Sequence, residues 1–278
     1  MSILENEPGL LDALNGEMTP KFLATRSPDN ENGSGVPNVV PCISILPADD
    51  QPDTLFFGNF LLRKSIKNLE QEERLAVLVI TEALNGWVLK GDFVEFQRTG
   101  PYVDRQMSSN LLRYNAYTGI RNAGVIRIRS LEWSFRITKL QVARDYALAR
   151  LAALGGNIRK ISEDPLGSDV TEIPLPTRRE FARMVAVKVL SWIDDDGYPI
   201  AIPALSLQPA GDHGLVGRLD QRNLPAPPPG IQAAANILTF EAISYQTKGR
   251  WFPFGKAGVL QIQEVYAGGP PYPGGRVA

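Results

Sequence analysis

The stretch TLFFGNFLLRKSIKNLEQEERLAVLVI, residues 54–80, holds two apolar runs with a charged segment between them. The first run, residues 54–58, predicts a strand, and the charged segment predicts a helix over residues 65–72. The bases come first and the acids last: Arg63, Lys64 and Lys67, then Glu70, Glu72 and Glu73. A helix dipole favours the opposite order by about 0.3–1 kcal/mol for each exposed charge. The order therefore indicates either an anion held at the helix start or a solvated basic face with acidic partners elsewhere.

The composition is that of a soluble globular chain. It has 278 residues, 44% of them hydrophobic, and a formal net charge of -1, which suits one large or two ordinary domains. Lysine and arginine are scattered along the chain, so we expect no nucleic-acid partner. Cys42 and His213 are the only cysteine and histidine, which leaves no material for a disulfide framework or a histidine-cysteine metal site. We expect no metal and read His213 as a loop residue.

The N-terminal sequence, residues 1–18, is acidic and lacks the basic start and the continuous apolar stretch of a secretory signal. No run in the chain approaches the roughly 20 apolar residues of a membrane span. We therefore expect a cytoplasmic protein that does not enter a membrane.

Short apolar runs separated by turn residues fill residues 22–101 and predict antiparallel strands in a barrel or a sandwich. Further helices are predicted at residues 10–15, 105–117 and 139–154, a strand at residues 124–130, and a linker at residues 157–177. The sequence predicts a mainly β fold with a few helices, of the β-barrel or α+β class.

The second half of the chain resembles the first. VPNVVPCISI, residues 36–45, has a counterpart in YPIAIPALSL, residues 198–207. GDFVEFQRTGP, which ends at Pro101, has a counterpart in GVLQIQEVYAGGP, which ends at Pro270. Two ordered matches at similar offsets favour an internal duplication over coincidence.

The second copy differs from the first where the charged helix would begin. Gly58 pairs with Gly217 in this alignment, and Arg63 with Arg222, but PAPPPG follows at residues 225–230. Proline removes backbone N–H donors and interrupts helices. We therefore expect a degenerate second domain, with boundaries at residues 1–138 for the first domain, 139–177 for a helix and linker, and 178–278 for the second.

Four segments together resemble the FMN-binding split barrels related to pyridoxamine 5'-phosphate oxidase. They are FLATRS, PNVVPCIS, the opening stretch, and GWVLKGDFVEFQRTGP, and they cover residues 22–101 in matching order and spacing. The resemblance implies two split-barrel-like antiparallel domains in tandem. It does not extend to the later Trp and Arg signature with which those oxidases hold their substrate.

The resemblance also implies FMN as the cofactor and a set of residues that bind it. They are Val40, Pro41, Cys42, Ile43, Ser44, Gly58, Asn59, Phe60, Arg63, Lys64, Ser65 and Asn68. In such proteins the basic pair and the polar residues of the following helix hold the flavin phosphate, the preceding loop approaches the ribityl chain, and the early strand faces the ring. An arginine fork and a lysine point charge both suit a phosphate dianion. For Cys42 a small buried strand residue is the favoured reading over a redox role.

Three functions follow from this resemblance. The first is an FMN-dependent oxidoreductase that exchanges electrons with a small molecule or a protein. The second is a non-catalytic protein that stores, carries or senses FMN or another phosphorylated ligand, and the third is a structural pseudo-dimer without a ligand. The flavin ring itself can carry redox chemistry, so no catalytic side chain is identified. In the family the flavin lies between two subunits, which implies a homodimer or an internal pseudo-dimer here.

Overall fold

The computed structural model describes residues 2–28, 35–109, 120–155, 158, 170–219, 224–269 and 274–278. The strands are β1 (Lys21–Arg26), β2 (Pro37–Pro41), β3 (Leu46–Pro47), β4 (Thr54–Gly58), β5 (Arg74–Ile80), β6 (Asn85–Gln97), β7 (Ala123–Arg136), β8 (Val187–Ile193), β9 (Pro199–Pro203), β10 (Gln208–Pro209), β11 (Gly214–Arg218), β12 (Gln232–Leu238), β13 (Ser244–Phe254), β14 (Ala257–Ala267) and β15 (Gly275–Arg276). The helices are α1 (Ile3–Asn6), α2 (Leu10–Asn15), α3 (Arg63–Leu69), α4 (Pro101–Ser108), α5 (Lys139–Ala153) and α6 (Leu175–Phe181). These elements confirm the predicted fold class, mainly antiparallel β with a few helices.

The chain divides into two compact units. Unit 1 consists of Met1–Gly35, Val40–Arg136 and Asp194–Ile200. Unit 2 consists of Val36–Val39, Ile137–Ile193 and Ala201–Ala278. Each unit thus includes a short segment from the other half of the sequence.

The two antiparallel sheets have the same strand order. The first runs β2-β1-β5-β6-β7-β4-β3, and the second runs β9-β8-β12-β13-β14-β11-β10. Adding seven to each strand number of the first sheet gives the second. The short strand β15 is an addition that pairs with β14. Residues of the two units can therefore be compared by their register in the sheet, without aligning the sequences.

Two buried lysines occupy equivalent places in the two sheets. Lys21 on β1 lies opposite Val79 of β5, and Lys188 on β8 lies opposite Ile237 of β12. Both lysines begin the buried part of their strands and are fully inaccessible to solvent. The sequence comparison did not find this pair, because the residues around the two lysines differ.

A lysine-glycine pair marks the same irregularity in both sheets. The register with the next strand shifts at Lys90–Gly91 on β6, which has two further shifts, and at Lys248–Gly249 on β13. A Cβ atom on the β6 glycine would lie 2.8 Å from the carbonyl oxygen of Arg127, and one on the β13 glycine 1.7 Å from that of Gln261. Only glycine allows the backbones to approach this closely at the two bulges.

The cores form on strands that are buried on both faces. β5 lies between β1 and β6, and six of its seven residues are buried. This explains its continuous apolar sequence, RLAVLVI, since a central strand covered on both faces has no polar side. In unit 1, Leu14 of α2 and Leu69 of α3 belong to the same core cluster as the strand residues. In unit 2, Trp192 and Trp251 are among the largest fully buried side chains.

The predicted elements agree with the structure in the regular segments and differ at several ends. The helix predicted at residues 10–15 and the strand predicted at residues 54–58 match α2 and β4, and α5 ends one residue before its predicted end. The predicted strand at residues 124–130 is the first part of the longer β7. The predicted helix at residues 105–117 begins earlier, at Pro101, since proline suits the first turn. Its predicted part at residues 110–117 lies outside the described residues.

The second of the two sequence matches between the halves pairs strands that are not equivalent in the two sheets. GDFVEFQRTGP lies in β6 and the start of α4, whereas the strand part of GVLQIQEVYAGGP lies in β14. In the shared strand order β6 corresponds to β13, and β14 corresponds to β7. Both segments are long strands with similar alternation, so periodicity alone could not separate them.

Two features outside the sheets also bear on the expectations from sequence. His213 lies in the bend before β11, where its carbonyl oxygen accepts a 2.8 Å hydrogen bond from the backbone of Ile262. This confirms that His213 is a loop residue. Of the helices in the described ranges, none has the length and apolar character needed to cross a membrane.

Candidate functional site

The loop between β4 and α3 is tightly constrained in unit 1. The Asn59 backbone N–H donates to the carbonyl of Asn122 at 2.9 Å, and the Phe60 N–H donates to that of Gly58 at 3.0 Å. Leu61 then adopts a φ of 59°, in the left-handed region. A residue with a side chain is strained there by about 1–2 kcal/mol. The fold therefore holds the start of α3 in a fixed place at some energetic cost.

The first turn of α3 is basic and has no side-chain cap. Arg63 is exposed, Lys64 is half-buried and Ser65 is 1% exposed. The N-cap residue, Leu62, makes no side-chain hydrogen bond to the turn, and the turn contains no acid. The first N–H groups of a helix lack acceptors within it and give that end a partial positive charge. Two cations and this helix end thus lie together, which suits an anion.

Asn68 attaches α3 to the sheet. Its amide nitrogen donates to Thr25 Oγ1 of β1 at 3.0 Å, and its side chain is 4% exposed. Ile66 and Leu69 pack against the core of unit 1. The structure thus uses the Asn68 amide nitrogen within the fold, and a contact of Asn68 with a phosphate stays a prediction.

The acids of the opening stretch lie beyond the helix, so the predicted helix over residues 65–72 is wrong at both ends. α3 ends at Leu69, and Lys67 lies in its last turn, where a cation is favourable. Glu72 accepts two 2.8 Å hydrogen bonds from the Arg74 guanidinium, and these bonds are the main reason that its pKa is lowered. Arg26 lies 3.8 Å from the same carboxylate. The unfavourable charge order is therefore confined to the basic first turn.

Cys42 follows β2 and is a packing residue in this structure. Its backbone N–H donates to the carbonyl of Lys21 at 2.7 Å, and its Sγ lies 3.7 Å from Ser44 Oγ. The thiol is 4% exposed, and burial raises its pKa to about 12. It remains protonated near neutral pH, whereas a reactive cysteine needs the thiolate.

Ser44 joins the early strand segment to the loop before α3. Its hydroxyl accepts from the Gly58 N–H at 3.2 Å and lies 3.4 Å from the Gly58 carbonyl oxygen. Gln106 of α4 donates from Nε2 to the Ser44 carbonyl at 2.6 Å. Gln106 was missed from the sequence, because one glutamine in a predicted helix carries no signal. The hydroxyl thus brings two of the predicted segments, residues 40–44 and 58–60, into direct contact.

A cavity of about 250 Å³ lies beside this contact. Its walls include Asn15, Ile43, Ser44, Leu46, Arg105 and Gln106. Arg105 is held by a 2.7 Å hydrogen bond to Asp49 and lies 5.5 Å from the centre of the Phe56 ring. Ile43 and Ser44 are the predicted site residues on this cavity, while Val40 and Pro41 are half-buried on β2.

Lys21 is a second residue that sequence reasoning missed. Its ammonium group donates to the carbonyl oxygens of Gly16 at 2.9 Å and Ile43 at 3.2 Å. Burial lowers its pKa to about 8. It therefore fixes the backbone on which the predicted ring-facing residues lie.

Trp87 and Lys90 on β6 are engaged by other protein groups. Trp87 Nε1 donates to Glu7 at 3.0 Å. Lys90 Nζ lies 2.6 Å from Asp196 and 3.3 Å from Asp194. Burial disfavours the charge of Lys90, but the hydrogen bond to Asp196 and the neighbouring carboxylates outweigh it and leave the pKa raised. Both residues have structural roles here.

Unit 2 repeats the serine contact, but its described residues form no helix in the place of α3; Arg222, the predicted counterpart of Arg63, lies outside the described residues. The Ser206 hydroxyl accepts from the Arg218 N–H at 2.8 Å and donates to the Arg218 carbonyl at 3.0 Å. Arg218, and not Gly217, is therefore the counterpart of Gly58. The sequence alignment was off by one residue here because it matched glycine to glycine. The segment at residues 224–231 contains no helix.

No protein-family model and no curated protein matches this chain. Several solved structures are similar to about half of it. They include HupZ from Group A Streptococcus, with 18% identity over 48% of this chain and 94% of that chain and a TM-score of 0.35. An FMN-binding protein from Syntrophomonas wolfei subsp. wolfei has 15% identity over 49% of this chain and 88% of that chain, with a TM-score of 0.37. HutZ from Vibrio cholerae, named as a heme storage protein, has 13% identity over 51% of this chain and 99% of that chain, with a TM-score of 0.34.

Proposed function

We propose that this chain is an FMN-binding flavoprotein of the pyridoxamine 5'-phosphate oxidase-like class, with its flavin site in unit 1. The observation that carries the proposal is the start of α3. Arg63 and Lys64 lie there on an uncapped, acid-free turn behind a strained loop. The sequence resemblance assigns the flavin phosphate to this same turn.

The residues of this chain have distinct roles in the proposed site. Arg63 and Lys64 neutralise the phosphate, and the Ser65 region supplies backbone donors. Ser44 and Gly58 keep the early strand segment beside the loop through their hydrogen bonds. Lys21 and Gln106 hold that segment through the carbonyl oxygens of Ile43 and Ser44. When bound, the flavin supplies one- and two-electron chemistry, and the protein supplies orientation and exclusion of water.

We further propose that the two units arose by duplication and that the main division lies near the predicted boundary at residue 138, with residues 139–177 belonging to unit 2 rather than to a separate segment. The shared strand order, the buried Lys21 and Lys188, and the two lysine-glycine bulges support this proposal. In unit 2 the helix start is replaced by a proline-rich segment. The second unit is then a scaffold that has lost the phosphate site.

The absorbance spectrum of the purified protein tests the cofactor. We expect the absorbance bands of an oxidised flavin, at about one flavin per chain after incubation with FMN. A colourless protein that does not take up added FMN contradicts the proposal.

Reduction distinguishes catalysis from storage. We propose the oxidoreductase as the first reading, so NAD(P)H or another physiological reductant should bleach the bound flavin, and an added acceptor should restore the colour. A yellow protein that no physiological donor reduces would instead be a store, carrier or sensor of FMN.

A further inference from the structure

A cleft of about 480 Å³ opens in unit 2 beside the lysine-glycine bulge of β13. Its polar walls include Thr171, Gln232, Lys248, Arg250, Glu264 and Arg276. The volume is within the range of about 300–1,000 Å³ that is usual for small-molecule sites. None of these residues belongs to the flavin site proposed in unit 1.

The cleft walls carry more positive than negative charge. Three basic side chains, Lys248, Arg250 and Arg276, face one carboxylate, Glu264, among the described lining residues. That carboxylate already accepts a 2.8 Å hydrogen bond from the Tyr266 hydroxyl. Burial raises the pKa of Tyr266 to about 12, so the phenol stays neutral and adds no negative charge. The described lining therefore has a net charge of three minus one, or +2.

The equivalent position in unit 1 has the opposite character. There Lys90 pairs with three carboxylates, those of Glu132, Asp194 and Asp196. Asp92 in unit 1 and Arg250 in unit 2 each lie two residues after the bulge lysine. They are equivalent because Asp92 pairs with the first residue of β5 and Arg250 with the first residue of β12. The same place in the fold is thus acidic in one unit and basic in the other.

The basic groups are held in place by the fold. Lys248 is 3% exposed, and its ammonium group lies 5.9 Å from the centre of the Tyr266 ring. Arg276 donates to main-chain oxygens of Ala278 at 3.0 Å and Gln263 at 3.2 Å, and its guanidinium lies 3.7 Å from the Glu264 carboxylate. Lys248 and Arg250 are therefore the basic lining residues beyond this ion pair. Arg250 is exposed at the rim. Two fixed cations and one accessible guanidinium form a preorganised site for an anion.

We propose that this cleft binds a small phosphate monoester, whose dianion matches the charge of the walls. Arg250 and Lys248 contact the phosphate, since an arginine fork and a buried ammonium suit its oxygens. Gln232 and Thr171 lie where they contact the remainder of the ligand. Unit 2 is then a ligand-binding unit as well as a scaffold.

Titration with inorganic phosphate tests this site in the full chain. The Arg63→Ala/Lys64→Ala variant serves as background, so that the unit 1 site does not contribute to binding. Calorimetry at constant ionic strength, with chloride as the reference anion, should show saturable phosphate binding. Arg250→Asp should weaken it by more than about tenfold, since a charge-assisted hydrogen bond is lost. Arg250→Lys should retain most of it, and Arg150→Ala, which removes an exposed charge of α5, should leave it unchanged.

Each result decides the proposal separately from the flavin assignment. Absence of phosphate binding in the background variant overturns the cleft, even when the parent chain binds FMN. Equal affinity of Arg250→Asp and Arg150→Ala also overturns it. Because Arg250 is exposed, its variants should keep the parent circular dichroism spectrum and thermal midpoint. If Arg250→Asp nevertheless unfolds, the phosphate affinities of Arg250→Lys and Arg250→Gln are compared instead. Equal phosphate affinities of these two variants overturn the proposal.

Discussion

Unit 1 and unit 2 place the same side chain at the same point of the sheet and give it different surroundings. Lys21 donates to two backbone carbonyl oxygens in unit 1. Lys188 has no hydrogen-bond partner among the residues that the structure describes, and its ammonium group lies 5.2 Å from the centre of the Tyr146 ring. One topology thus accepts a buried amine with or without hydrogen-bond acceptors, so the two units share a framework and differ in their local polar contacts.

At the end of β4 and of β11 the contact is the same in both units, but the residue that makes it differs. The serine hydroxyl binds the last residue of β4 in unit 1 and of β11 in unit 2, which are Gly58 and Arg218. A Cβ atom on Gly58 would lie 2.9 Å from Ile120 Cγ2 and 3.1 Å from Gln106 Oε1 of α4. In unit 2 the Arg218 guanidinium lies 3.6 Å from Asp145 of α5. The glycine thus leaves room for the Ile120 and Gln106 side chains that pack there, and the serine contact is common to both units.

The bulge glycines should show the largest difference between the units. In Gly249→Ala the new Cβ meets the backbone of β14, so unfolding free energy should fall by about 3 kcal/mol or more, against about 1–2 kcal/mol for Gly91→Ala. Urea denaturation followed by tryptophan fluorescence measures both. Equal losses, or a loss below about 1 kcal/mol for Gly249→Ala, would show that the two bulges are not built as described.

Replacing the paired lysines by methionine should have opposite effects. Lys21→Met leaves the Ile43 carbonyl oxygen without its lysine donor and the Gly16 carbonyl oxygen with the Thr19 N–H alone. It should lower the free energy of unfolding by about 2 kcal/mol. Lys188→Met removes a buried amine without a hydrogen-bond partner and should raise it by about 1 kcal/mol. Urea denaturation of each variant shows whether its free energy of unfolding rises or falls. Destabilisation of similar size in both variants would contradict the difference in their surroundings.

Removal of the serine hydroxyls should have similar effects in the two units. Ser44→Ala and Ser206→Ala should each lower the free energy of unfolding by about 1 kcal/mol, with the larger effect for Ser206 because its hydrogen bonds are shorter. Cysteine at each position is a matched control that preserves size with a weaker donor. If one of the two alanine variants had an unchanged free energy of unfolding, the two serine contacts would not be equivalent.

The stability should also depend on pH, by up to about 1.4 kcal/mol per pH unit for each lysine whose pKa is lowered by burial. Burial lowers the pKa of Lys188 to about 7, below its unfolded value of 10.5. Above pH 7 the folded amine is neutral while the unfolded one still binds a proton, so stability should rise with pH in this window. Lys21, whose pKa is lowered to about 8, adds to the rise above pH 8. Lys188→Met should flatten the profile between pH 7 and 8, and an unchanged slope there would contradict the lowered pKa.

The regular elements could be predicted because their signals are local. The apolar run of β4, the alanine- and leucine-rich α5 and the glycine after it are read directly from the sequence. The end of α3 could not be read, because Glu72 resembles a helical residue until Arg74 binds its carboxylate. The match between GDFVEFQRTGP and GVLQIQEVYAGGP was wrong because β6 and β14 have the same alternation of apolar and polar residues.

Some contacts among the predicted site residues are present in the structure, and their binding roles stay predictions. Residues 40–44 and 58–60 are joined by the Ser44 hydroxyl, which supports their grouping. Lys21 and Gln106 were missed, because their roles depend on backbone carbonyl oxygens that the sequence does not mark. The basic cleft of unit 2 was also missed, because its residues are scattered among β12–β15 and two connecting segments.

The affinity of the full chain for FMN, measured by quenching of flavin fluorescence, tests most directly whether unit 1 binds the flavin at α3. The comparison is between the parent chain, Arg63→Ala/Lys64→Ala, and Lys139→Ala/Arg150→Ala, which removes two exposed charges from α5. We predict that the parent and the α5 variant bind FMN equally, and that the α3 variant binds at least about a hundredfold more weakly, since two charge-assisted contacts are lost. Equal affinity in all three proteins would contradict the assignment of the flavin phosphate to Arg63 and Lys64.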